Sequence, residues 1–178
     1  MRRRHLLSAT LGGLGLVAGC LGRFAGVGQD SEPLSCGNEW HRLNAFSESY
    51  ASPWREWRLT TNRESLQYGD EMRVTLTNES DQEAYTGIPA KYDIQERTEE
   101  GWRSVLWIDQ KVALTDEALV HEPEEGLTWT FTVREETIEG VEEEYHICDA
   151  IEPGRYRFAY YGIGDEHAAI TTPFEVVE

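Results

Sequence analysis

The sequence predicts an all-β protein: an antiparallel β-sandwich of about seven strands over 54–178, preceded by a leader at 1–19 and a tethering segment at 20–53. Three observations predict it. Beyond Trp54, apolar residues recur at every second position, the period of a strand with one buried face. Clusters of turn-forming residues separate those runs at short intervals. The 178 residues include 6 Trp, 8 Tyr and 5 Phe, enough apolar surface for a core despite a net charge of −17.

The leader comes first. Arg2, Arg3 and Arg4 precede His5, Leu6 and Leu7, then a short glycine-rich apolar run ends at Cys20. A basic start, a short apolar run and small residues before a break make an export signal, too short to span a bilayer. Arg3-Arg4-His5-Leu6-Leu7 resembles the twin-arginine signal, which routes folded proteins. Val17-Ala18-Gly19-Cys20 resembles the lipobox of prokaryotic lipoproteins. That resemblance implies cleavage before Cys20 and a two-chain lipid on its sulfur; two chains anchor stably where one does not. The expected location is the outer face of the cell membrane, with the membrane as first partner.

Residues 21–33 show no periodicity and read as a tether; 36–52 read as irregular chain. With Cys20 lipidated, Cys36 and Cys148 form an even pair in an exported chain, the setting in which disulfides persist. The competing reading is a metal or redox site. His146 lies two residues before Cys148 and Glu142, Glu143 and Glu144 precede it, but no further Cys or Met ligand is near.

The strands follow in order. Trp57 opens the first, and Met72, Val74 and Leu76 mark the second. Tyr92 and Ile94 mark the third, with Asp93 and Gln95 on the solvent side. Trp102 to Ile108, apolar on both sides, reads as one doubly covered strand. Leu127, Trp129, Phe131 and Val133 give the clearest alternation, against threonines. Tyr156, Phe158 and Tyr160 alternate with Arg155, Arg157 and Ala159; Ile170, Thr172, Phe174 and Val176 share the last face. Residues 134–145 break the pattern and read as a short helix.

Ile151-Glu152-Pro153-Gly154-Arg155-Tyr156 resembles the corner of immunoglobulin-like domains, where a tyrosine at the strand start bonds back to the upstream backbone. With the run from Gly69 to Asn78, it makes the region similar to prokaryotic Ig-like domains of cell-surface lipoproteins. The resemblance implies Tyr156 as the corner tyrosine and a non-catalytic binding or accessory module. Its partner would be a protein or surface glycan, met by loops or a sheet edge. A looser similarity of Tyr92-Asp93-Ile94, Gly101-Trp102 and Pro153-Gly154-Arg155-Tyr156 to the small Ig-like BsuPI inhibitors implies protease inhibition as the alternative.

The charge bears on partners and on solvent. With 33 Asp+Glu against 16 Lys+Arg, the chain lacks the cationic field that nucleic acid or an anionic lipid surface requires. Only Lys91 and Lys111 among the basic residues are lysines. This acid-rich, lysine-poor composition resembles that of halophilic archaeal proteins, whose surface charges are screened in concentrated salt.

No phosphate loop, HExxH or GxSxG is present, and no cofactor or catalytic residue is expected. A blue-copper site fails on ligands: after Cys148 the next His is His167, and no Met follows Met72. The remaining enzyme reading is metal-dependent. Glu135, Glu136, Glu139, Glu142, Glu143 and Glu144 lack the ordered spacing of a calcium loop and read as a solvated face. The other histidines, His5, His41, His121 and His146, are scattered. Trp102 and Trp129 are expected in the core, although a tryptophan-lined groove for carbohydrate or peptide is the functional alternative. Asn78-Glu79-Ser80 is a sequon in an expected turn, which makes Asn78 a candidate for N-glycosylation.

Overall fold

The computed structural model describes residues 36–164 and 168–178, and these residues contain strands and turns but no helix. Arg3, Arg4, Cys20 and His167, and with them the export and lipid-attachment expectations, lie outside the described residues. In chain order the strands are β1 (Trp40–Arg42), β2 (Glu48–Ala51), β3 (Trp57–Thr61), β4 (Ser65–Gln67) and β5 (Glu71–Asn78). Next come β6 (Ala84–Thr86), β7 (Tyr92–Thr98), β8 (Gly101–Ser104), β9 (Leu106–Asp109) and β10 (Leu119–His121). The last five are β11 (Gly126–Val133), β12 (Ile138–Glu139), β13 (Tyr145–Ile147), β14 (Gly154–Tyr160) and β15 (Ala168–Val177).

Two sheets carry the core. One runs β2-β15-β14-β7-β8, with β4 also on the β15 edge; the other runs β12-β11-β5-β3. Each long strand alternates because one face meets the other sheet. Met72, Val74 and Leu76 of β5, and Trp129, Phe131 and Val133 of β11, point inward and are buried. They meet Tyr92 and Ile94 of β7 and Tyr156, Phe158 and Tyr160 of β14 in one cluster. Its rings pack in both tilted and stacked pairs: Trp129 lies 4.9 Å from Phe158 and tilted, and Tyr92 5.2 Å from Phe158 and stacked. Such pairs each add about 0.5–1.5 kcal/mol beyond area burial. Gly126 opens β11 because a Cβ there would sit 1.9 Å from the Leu76 carbonyl oxygen of β5.

A three-stranded sheet, β1-β9-β13, and the ribbon β10-β6 complete the fold. Cys36, just before β1, is disulfide-bonded to Cys148, just after β13, with Cα atoms 5.5 Å apart. Because β1 and β13 flank β9 on opposite sides, the bond links the two outer strands of that sheet.

Four expectations change. The 36–52 segment is not irregular: β1 pairs with β9, and β2 pairs in parallel with β15, so the six-stranded sheet reaches upstream of Trp54. The expected helix at 134–145 is instead a turn, β12 and a second turn. Gly140, at φ +90, sits where a side chain would meet the Thr130 carbonyl. The single strand expected from Trp102 to Ile108 is two strands in different sheets, divided at Val105, whose N–H donates to the Ile94 carbonyl. Finally, the sandwich is built from more and shorter strands than seven, because the connections themselves pair into strands of two to four residues.

Candidate binding groove

The outer face of the six-stranded sheet is set by register. On β7 the residues facing away from the core are Asp93, Gln95 and Arg97. Across the β7–β8 pairing, Gln95 lies opposite Ser104 and Arg97 opposite Trp102. Across β7–β14, Gln95 lies opposite Arg157 and Glu96 opposite Tyr156, which brings Arg155 alongside Arg97. Arg155 is in turn opposite Glu175 on β15. One row across the face therefore reads Trp102, Arg97, Arg155, Glu175, and the next reads Ser104, Gln95, Arg157, Pro173.

The expected solvent side of β7 is in fact closed over, which corrects the placing of Asp93 and Gln95. Asp93 is fully buried and Gln95 nearly so. The Asp93 carboxyl accepts from Ser104 Oγ at 2.5 Å and from Gln95 Nε2 at 2.7 Å. Gln95 Oε1 accepts from Arg157 Nε at 2.8 Å, and Arg157 Nη1 donates to Ser49 Oγ at 3.0 Å. Burial pushes the Asp93 carboxyl up to about 7, against the pull of these donors and of Arg157. Burial likewise lowers the Arg157 guanidinium; Asp93 opposes that shift and Arg97 adds to it.

Beside this network lies an open groove of about 1020 Å³. Arg97, Trp102 and Arg155 line one side, and Thr60, Thr61 and Ser65 bring hydroxyls to it. Trp102 is 36 % exposed, so its expected place in the core is corrected; Trp129 alone of the pair is buried. The guanidinium carbons of Arg157 and Arg97 lie 4.5 and 5.4 Å from the Trp102 ring centroid, within range of cation–π attraction. Among the described residues six arginines, including Arg42 and Arg134, form ion pairs with carboxylates. Among the described residues Arg97, Arg155 and Arg157 form no ion pair with a carboxylate.

The groove reaches a gap in the β15 edge. β2 covers Ala168 to Thr171 and β4 covers Glu175 to Val177, leaving Thr172, Pro173 and Phe174 unpaired on that side. The Thr171 carbonyl accepts from Ser52 N–H and the Glu175 N–H donates to Glu64, so 171, 173 and 175 turn their backbone groups to this edge. Pro173 has no N–H to present there.

Other singled-out residues fall elsewhere. The Tyr156 hydroxyl donates to the Glu152 carbonyl at 2.6 Å. Asn78 has no exposed surface, and its Nδ2 donates to the carbonyls of Gln82, His121 and Glu122. His121 is buried against Thr86, and burial lowers its pKa. Among the described residues no three His, Cys, Asp or Glu side chains are placed to hold a metal ion. The outer-face arginines went unmarked in the sequence, because only strand register joins positions 97 and 102 to 155 and 157.

No protein-family profile matches the chain, and no characterised relative does. Among solved structures it is similar to a beta-glucosidase from Listeria innocua in complex with gluconolactone, at 20 % identity and TM-score 0.33. That alignment covers 69 % of this chain and 16 % of the other. A β-glucosidase from Erythrobacter marinus aligns at 15 % identity and TM-score 0.35, over 68 % and 15 % of the two chains. The chain thus spans about a sixth of the enzymes it matches, and likeness at this level carries no argument about activity.

Proposed function

We propose that this protein is a non-catalytic, Ig-like binding module held on the outer face of a haloarchaeal membrane by lipid on Cys20. Residues 1–19 would direct twin-arginine export through Arg3 and Arg4 and then be removed. The observation that carries the binding role is the groove of about 1020 Å³, lined by Arg97, Trp102 and Arg155, in which neither arginine forms an ion pair with a carboxylate among the described residues. In a chain of net charge −17, unpaired arginines on one face are what a ligand-facing surface requires and what packing alone does not. The bond from Tyr156 to Glu152 supports the Ig-like corner.

Two measurements test the reading. Intact mass of the membrane-extracted protein is expected to show cleavage before Cys20 and a diacyl-glyceryl addition; an unlipidated chain retaining residues 1–19 overturns the anchoring. Purified Cys20→Ser protein, which cannot take the lipid, is expected to be retained on isolated cell envelopes in native salt, and failure of retention overturns the binding role.

A further inference from the structure

The arginine row on the outer face is electrostatically incomplete. One step past the last β7–β14 pair, Tyr156 opposite Glu96, Arg97 and Arg155 come next to each other, and both line the groove; like charges placed so destabilise a sheet. Glu175 faces Arg155 in the register without forming an ion pair with it. Arg97 lies against the Trp102 ring, and neither Arg97 nor Arg155 donates a side-chain hydrogen bond among the described residues, which leaves their N–H groups to fork an oxyanion; Arg157 is engaged with Gln95 and Ser49. Arg97 and Arg155 are both exposed, and Arg155 has no charged or aromatic partner among the described residues.

The surroundings narrow the class of ligand. Thr60, Thr61 and Ser65 line the same groove and are the residue types a sugar's hydroxyls pair with, while Glu64 and Glu175 also line it and disfavour a densely charged anion. A peptide adding itself as a strand at the β15 gap would meet Pro173, which offers no N–H to the ladder. A long polyanion would meet repulsion from the rest of a surface carrying net charge −17, so the acidic ligand must be short or sparsely charged.

We infer that the groove binds a short acidic glycan, whose carboxylate or sulfate is forked by Arg97 and Arg155 while its hydroxyls meet Thr60, Thr61 and Ser65. This rests on the binding-module reading and specifies its ligand. Calorimetric titration of the full chain with a galacturonic-acid trimer, a sulfated maltotriose, neutral maltotriose and triglutamate tests it. The galacturonic-acid trimer, the sulfated sugar or both are expected to bind at least tenfold more tightly than maltotriose and triglutamate. Which of the two binds identifies the anion. Arg97→Gln and Arg155→Gln should each weaken that binding about tenfold, as loss of a charged hydrogen bond does. Arg103→Gln, whose guanidinium pairs with Glu96 on the opposite face, should leave it unchanged.

Equal binding of maltotriose or of triglutamate overturns the inference, and so does undiminished binding by the double variant. If no trimer binds while envelopes still retain the protein, the acidic-glycan assignment falls and the binding role stands. If envelopes retain nothing either, both fall.

Discussion

Replacing Asp93 by asparagine is expected to stabilise the protein above neutral pH and to flatten its pH dependence. Asp93 is wholly buried, and burial holds its carboxyl at about 7, whereas in the unfolded chain it titrates near its ordinary value of 3.8. Between those values the folded state holds a proton that the unfolded state has released. The stability linked to that proton is complete below pH ~4 and lost as pH rises through about 7. A thousandfold difference in ionisation corresponds to about 4 kcal/mol across the whole window.

Asparagine fits the protonated arrangement. When protonated, the Asp93 oxygen facing Ser104 donates to Ser104 Oγ, whose own hydrogen turns to the Leu106 carbonyl at 3.0 Å. The other oxygen still accepts from Gln95 Nε2. An asparagine Nδ2 placed toward Ser104 and Oδ1 toward Gln95 reproduces every one of these bonds without a charge to desolvate. Because 33 Asp+Glu titrate together, the informative quantity is the difference between variant and wild type in urea unfolding. That difference should favour asparagine by about 2 kcal/mol at pH 5 and about 4 kcal/mol at pH 8. A variant less stable than wild type at pH 8, or two pH profiles running parallel, refutes the reasoning.

Three further outcomes are expected. Reducing the Cys36–Cys148 bond, or replacing both cysteines by serine, should lower the unfolding midpoint in a thermal scan. The 112-residue separation it spans sets an upper expectation of ~4–5 kcal/mol from loop entropy. Tyr156→Phe removes the bond to the Glu152 carbonyl and should cost about 1 kcal/mol in denaturant titration, with the fold retained by circular dichroism. Gly126→Ala forces a methyl into the Leu76 carbonyl and should cost more than ~2 kcal/mol, seen as a shifted urea midpoint or loss of soluble expression.

What the sequence made legible is what obeys one period and one buried face. The strands around Met72 and Phe131 were readable because each has a core on one side and water on the other. That rule assumes an empty outer face, and it misplaced Asp93 and Gln95, which donors from β8 and β14 close over. β1 and β2 were missed because they have three and four residues, and β2 is exposed throughout: pairing partners, not patterning, hold them. The run around β12 reads as a helix because it breaks the strand alternation, yet pairing with β11 and the backbone turn at Gly140 decide otherwise. The groove was the least legible feature. Its members lie on β7, β8 and β14, and only register places Arg155 beside Arg97.

The disulfide also decides how a pull on the chain is carried. Tension applied through the segment before Cys36 divides at that residue, and the covalent route leads to Cys148 without passing through β1 or β2. Seven residues beyond Cys148 the chain reaches Arg155 on β14, a central strand of the six-stranded sheet. A load between the tether and an occupant of the groove would therefore run along a short, covalently continuous path. The weakly held N-terminal strands are bypassed instead of being unzipped one hydrogen bond at a time.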